Sequence, residues 1–244
     1  MPSTLASSFA PTGTLRVAIN LGNPILANRD TRGHAVGVSV DLGHKLAAQL
    51  GVEAHLVVVD AAGKSVDLVS KETADIGFFA IDPVRGAKIA FTAPYVLIEG
   101  TYLVRDDDPV RDVGEVDRPG KRVIVGQGSA YDLFLTRDIR QAEIIRVPGA
   151  GAVIETFLHD PTAVAAGVRQ VLEADARRVP GLRVLDGRFM TIRQAVGVPK
   201  SRGTAAAVYL ADFVETMKAS GFVADALVRH GIEGASVAPA GEPE

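Results

Sequence analysis

The sequence predicts two α/β units, each an open sheet flanked by helices. Three observations lead there. Apolar, β-branched runs of strand length alternate with helical patterns. The alternation breaks at an acidic, proline-containing stretch, Asp106-Asp107-Asp108-Pro109, and then restarts. The 244 residues give room for one large α/β domain or two small lobes, each with its own core. Strands alternating with helices imply parallel strands joined by right-handed crossovers.

The elements follow in order. Leu15 to Asn20 reads as a first strand, apolar and β-branched. Ser39 stands where an N-cap belongs, with Asp41 in the first turn of a helix that ends near Leu50-Gly51. Val40, Gly43, Ala47 and Leu50 share one face of it. A strand at Leu56–Val59, a short helix at Ser65–Lys71 and a strand at Asp75–Ile81 complete the first series. The second begins with a strand at Lys121–Gly126 feeding a helix at Ser129. A strand at Glu143–Val147, a helix at Ala152–Leu158, a strand at Ala163–Ala166 and a helix at Val168–Arg178 follow. Ala195–Pro199 returns as a strand, and Gly221 splits two last helices, Thr204–Ser220 and Phe222–His230. The ends, 1–13 and 237–244, read as flexible tails.

Composition excludes several functions. Apolar residues are 47 % and charged residues 23 %, ordinary for a folded protein, and the net charge of −3 forms no basic stripe for nucleic acid. The chain has no cysteine, which rules out disulfides, thiolate metal sites and cysteine nucleophiles. Its apolar runs fall far short of the ~20 residues that span a bilayer, so no membrane insertion is expected. The N-terminus has no Lys or Arg before Arg16 and no continuous apolar core, so no signal peptide is read there.

Enzyme motifs fail on inspection. Ala62-Gly63-Lys64-Ser65 ends like a phosphate loop, but Val58 stands where its first glycine is needed. Gly126-Gln127-Gly128 continues to Tyr131 instead of a third glycine, and Gly-x-Ser-x-Gly around Ser129 fails at Gln127 and Tyr131. His34, His44, His55, His159 and His230 are too scattered for a metal pair. No cofactor, no metal and no catalytic residue is expected.

Four strings, in order, resemble the family 3 solute-binding proteins, the receptors of polar amino-acid ABC importers. They are Thr14-Leu15-Arg16-Val17-Ala18; Gly37-Val38-Ser39-Val40-Asp41-Leu42; Asp82-Pro83-Val84-Arg85 followed by Phe91-Thr92-Ala93-Pro94-Tyr95; and Gly120 to Ser129. The resemblance runs from Thr14 to Gly234. It implies a two-lobed, type II periplasmic-binding-protein-like α/β fold with a two-strand hinge near Leu97–Gly100 and Thr191–Gln194. Lobe one would be residues 14–96 with 195–236, and lobe two the insertion 101–190. A small carboxylate would bind in the cleft and be buried on closure. A monomer, a periplasmic location and an ABC permease as partner are implied, with the cytoplasm open because no signal peptide is seen.

The same resemblance names the residues of the site. Arg85 would hold the ligand's carboxylate, its planar fork matching two oxygens. Ser129 and Ala130 would offer N–H groups from the start of a helix, where the dipole favours an anion. Ser129 with Asp132 also has capping-box-like spacing. Asn20, Asn23 and Leu26 are candidate lining residues, and Ala80 replaces a hydroxyl that helps hold the carboxylate in the family. Gly167 falls where those receptors carry the acid that pairs with the ligand's ammonium. Glu99 or Asp82 would have to substitute, and an amine-free organic acid stays open beside an amino acid. The alternatives are a cyclohexadienyl-dehydratase-like enzyme, which needs a general acid in the cleft, and a cytoplasmic ligand sensor.

Overall fold

The computed structural model of the protein describes residues 4–241. It divides into two compact units, one made of the chain up to Leu97 together with everything from Arg193, the other of Ile98–Ile192.

Unit 1 opens with α1 (Thr4–Phe9), which corrects the expectation of a flexible tail over 1–13. Ala6, Phe9 and Ala10 are buried, and the Phe9 ring lies 5.7 Å from that of Tyr209. Their helical spacing gives the segment an apolar face, which outweighs its lack of a cap. Residues 1–3 of that expected tail lie outside the described residues.

Strand β1 (Thr14–Asn20) follows, then a small hairpin of β2 (Asn28–Arg29) and β3 (Ala35–Val36). Helix α2 (Val38–Leu50) is capped by Gly37, not by Ser39. Gly37 has φ 130°, and a Cβ there would lie 2.4 Å from the Leu26 carbonyl oxygen, so only glycine fits the turn. Ser39 is instead inside the helix, buried, its hydroxyl 3.2 Å from the Tyr95 hydroxyl. Strand β4 (Glu53–Val59), helix α3 (Ala62–Ser70) and strand β5 (Ile76–Ala80) complete the series. Strand β1 pairs in parallel with both β4 and β5. At the amino end of this sheet Asp75, fully buried, accepts from the Arg16 backbone and guanidinium and from Arg202.

Strand β6 (Ile89–Arg105) carries the chain into unit 2. There follow β7 (Arg122–Gly126), α4 (Ala130–Asp138), β8 (Glu143–Val147), α5 (Val153–Leu158), β9 (Ala163–Val168), α6 (Arg169–Arg178) and β10 (Leu182–Val184). Strand β7 runs parallel to β8 and β9, while β6 pairs antiparallel with β9 and β10. Alternate residues feed two cores, as the period-2 geometry of a strand requires. Val123, Val125, Val164 and Ala166 pack with Tyr131 and Leu135 of α4. Ile124, Ala163 and Ala165 pack with Phe157 of α5 and Leu172 of α6.

Strand β11 (Met190–Pro199) returns to unit 1 and pairs antiparallel with β5. Helices α7 (Gly203–Ala219) and α8 (Phe222–Arg229) follow. Strand β12 (Ser236–Val237) then pairs with Val96 and Leu97 of β6. The tail expected over 237–244 is therefore tied down as far as it is described. Ala238 donates to Tyr95, Lys218 to the Pro239 carbonyl, and Gly241 to Glu215. Residues 242–244 lie outside the described residues.

Candidate functional site

In open α/β sheets the ligand-facing edge is the carboxyl end of the parallel strands. In unit 1 that edge holds Asn20, Val59 and Ala80, the last residues of β1, β4 and β5. Asp82 and Pro83 turn the chain out of β5, with Asp82 Oδ1 accepting from the Val84 N–H at 2.9 Å and the Asp82 carbonyl from the Gly86 N–H. That turn brings Arg85 back beneath the strand end.

Arg85 is only 5 % exposed, and its Nη1 donates to the Ala80 carbonyl at 3.1 Å. Burial pulls its pKa down to about 10, against the opposing pull of the Asp82 carboxylate. It is still a cation at neutral pH, but one in a place that disfavours charge. Ala80 contributes its backbone oxygen, so the structure brings these two predicted residues into direct contact.

The other predicted residues of unit 1 are differently employed. Asn20 Oδ1 accepts from the Gly22 N–H at 2.9 Å, closing the turn after β1. Asn23 is half-buried and its Oδ1 has no hydrogen-bond partner, an acceptor left unused at the same edge.

In unit 2 the corresponding edge holds Gly126, Val147 and Val168, the last residues of β7, β8 and β9. A Cβ at Gly126 would lie 2.9 Å from the Ala150 nitrogen, so the loops after β7 and β8 meet at this point. Ser129 is the N-cap of α4, its Oγ accepting from the Asp132 N–H at 3.0 Å. Its own N–H donates to the Gly126 carbonyl at 3.1 Å, so it is used inside the turn and not held out for a ligand. The Ala130 N–H, at the first helical position, has no acceptor within the helix. Asp132 answers the Ser129 cap with a variant of the capping box: its Oδ2 accepts from the Gly128 N–H at 2.8 Å, while Oδ1 accepts from Arg146 Nε at 2.9 Å.

This arrangement of sheets, turns and strand ends has known counterparts. The profile of the bacterial extracellular solute-binding proteins, family 3, matches residues 15–231. The chain belongs to that family. The L-cystine-binding protein TcyJ of Escherichia coli is 28 % identical over 151 residues, 62 % of this chain. The aligned part is 53 % of the relative, so the match spans about half its length. Among solved structures, a mutant of ArgBP from T. maritima superposes with a TM-score of 0.78 at 20 % identity, covering 94 % of this chain and all of that one. The ancestral amino acid-binding protein AncCDT-1, described as a precursor of cyclohexadienyl dehydratase, gives 0.76 at 21 % identity, covering 95 % of this chain and all of that one. At these identities the structural likeness establishes the fold, that of type II periplasmic-binding proteins.

Within this family fold, unit 2 contains a cluster that the sequence reading missed. Glu99 accepts from Arg169 Nε at 2.8 Å and from Arg188 Nη1 at 2.9 Å. The hydrogen bond from Arg169 is the main cause that holds Glu99 below its ordinary pKa, with Arg188 adding to it. Glu99 is thus paired with two guanidiniums, one on each carboxylate oxygen. A Cβ at Gly167 would lie 3.0 Å from Leu172 Cδ2, so a side chain there needs that buried leucine to shift slightly. One member of the cluster carried a signal in the sequence. Arg169 is the first charged residue after a predicted strand, where the carboxyl-end rule directs attention.

Proposed function

We propose that the chain is a solute receptor that binds a small carboxylate-bearing molecule through Arg85, and that it serves an ABC importer as its binding component. The observation that carries this reading is the buried guanidinium. Arg85 is 5 % exposed, and burial lowers its pKa to about 10. A cation held where charge is disfavoured gains most from an anion that arrives with the ligand. Its relatives and structural neighbours include binding proteins for cystine and for arginine, consistent with a carboxylate as the shared chemical feature.

A receptor accounts for the site better than a dehydratase does. That elimination requires a proton donor. Glu99 has a lowered pKa and is ionised at neutral pH, so it is a poor general acid. Among the described residues no helix is long and apolar enough to cross a membrane. The family's extracellular role then implies an exported protein, which fractionation of the native host would check.

The test is a thermal-shift screen of small carboxylic acids on wild type and on Arg85→Met. A carboxylate at ~100 times its Kd should add about 2.7 kcal/mol of stability in the wild type. The shift should vanish in Arg85→Met. A ligand that stabilises both proteins equally contradicts the assignment of Arg85.

A further inference from the structure

The string that fails as a phosphate loop, Ala62-Gly63-Lys64-Ser65, opens helix α3 directly after strand β4. The register of unit 1 places that junction. Strand β1 pairs Asn20 with Val59 of β4, and Ala18 with Gly77 of β5. Carried along the strands, the same register sets Leu21 level with Asp60 on one side and with Ala80 on the other. Gly22 shows how closely the loops meet, since a Cβ there would lie 2.6 Å from the Asp60 carbonyl oxygen. Adjacent strands lie ~4.8 Å apart, so the start of α3 is on the order of 10 Å from the Ala80 carbonyl. Arg85 donates to that carbonyl. The two places share one edge of unit 1.

Helix α3 begins without a side-chain cap. Its N-cap is Ala61 in extended conformation, and the N–H groups of Ala62, Gly63 and Lys64 have no acceptor among the described residues. Such groups, with the helix dipole behind them, favour an anion. No atom comes within 4 Å of where a Gly63 Cβ would stand, so there is room for one. Ser65 is a second, independent sign. It is fully buried, and its Oγ has no hydrogen-bond partner among the described residues, a costly state for a hydroxyl. The Cα–Cβ bonds of a helix tilt toward its N-terminus, which directs this hydroxyl at the open first turn. Helix α3 packs on β1 and β5, so Ser65 stands on the side of Arg85. Lys64 Nζ donates to Asp60 Oδ1 at 2.7 Å, and both side chains are more than half exposed. A pair so exposed is weak, and an arriving anion can take the ammonium from Asp60.

We propose that the first turn of α3 holds a second oxyanion, so that the solute is a diacid with one acid group on Arg85 and the other on α3. The Ala62, Gly63 and Lys64 N–H groups, the Ser65 hydroxyl and the Lys64 ammonium are its donors. This rests on the carboxylate reading given above and narrows its chemical class. Asp60 competes with the second acid group for Lys64.

The experiment is calorimetric titration of the full chain with acids matched in length: pentanoate, glutarate and 4-phosphonobutyrate; hexanoate and adipate; octanoate and suberate. At whichever length binds, the diacid should bind at least tenfold more tightly than the monoacid. The better of glutarate and 4-phosphonobutyrate names the second group as carboxylate or phosphate-like. Ser65→Ala and Lys64→Met should each lower the diacid-to-monoacid ratio severalfold, and Asp60→Asn should raise it. Ser65→Ala deletes a hydroxyl that has no partner, so the variant should fold. A merely structural role for these residues would weaken both acids alike and leave the ratio unmoved, which counts against the proposal. A monoacid that binds as tightly as its diacid, with both lost in Arg85→Met, overturns this inference and leaves the carboxylate reading intact. Absence of binding by every acid up to millimolar concentration removes the carboxylate reading, and this inference with it.

Discussion

The two units present opposite solutions at the same kind of edge. In unit 1 the carboxyl end of β5 carries a buried guanidinium, Arg85, whose pKa is pulled down to about 10. In unit 2 the carboxyl ends of β7 and β9 carry charges that are closed on one another: Asp132 with Arg146 and the Gly128 N–H, Glu99 with Arg169 and Arg188. Burial disfavours the charge at the first edge, while the charges of the second are ion-paired. The difference is what the proposed carboxylate role of Arg85 rests on, because a disfavoured charge is the kind a ligand can relieve.

The comparison can be broken most directly at Arg85. Burial lowers its pKa to about 10, so its charged form is held at a cost below that pH. The unfolded chain binds that proton more tightly, so stability should rise as pH increases above about 10 and be flat below. Arg85→Met should leave the melting temperature equal or higher while reducing carboxylate binding by about 100-fold or more. Loss of 3 kcal/mol or more in denaturant titration of this variant would mean that Arg85 is a structural cation and would erase the contrast.

Asp132→Ala tests the other side. It leaves a capping N–H and the Arg146 guanidinium without their carboxylate, and chemical denaturation should show a loss of about 2–3 kcal/mol. Ser129→Ala removes only the N-cap and should cost about 1 kcal/mol. The smallest effect is the pH dependence of Glu99. Its folded pKa is lowered from 4.5, so the stability it contributes is complete above that value and is lost as pH falls through the lowered one. The difference in melting temperature between wild type and Glu99→Gln should therefore shrink below about pH 4.5. A difference that stays constant to pH 3 would show that the ionised carboxylate contributes nothing.

The sequence made the fold legible wherever local pattern and tertiary context agree. The alternation of Val123, Ile124 and Val125 marks a strand buried on both faces, and β7 is one. Arg85 was singled out through the resemblance of Asp82-Pro83-Val84-Arg85 to the family's motif, since a surface arginine after a proline turn reads the same locally. Ser39 misled because its hydroxyl suits an N-cap, and a tight approach to Leu26 hands that role to Gly37. Helix α1 was hidden by its shortness, although Ala6, Phe9 and Ala10 carry a helical stripe. The charges around Glu99 were not legible as a network, because Glu99, Arg169 and Arg188 are far apart in sequence and meet only through strand pairing. Ser129 was read correctly as a cap, while the use of its N–H inside the turn depends on a loop geometry set by Gly128, whose φ is +70°.

The central claim is that a buried, destabilised Arg85 is kept for a carboxylate. Calorimetric titration of wild type and Arg85→Met with the best acid from the thermal-shift screen tests it, alongside the melting temperature of each unliganded protein. The account predicts saturable binding in the wild type, loss of binding in Arg85→Met, and a variant at least as stable as its parent. Undiminished binding by Arg85→Met, or a variant that loses stability in step with its loss of binding, would contradict it.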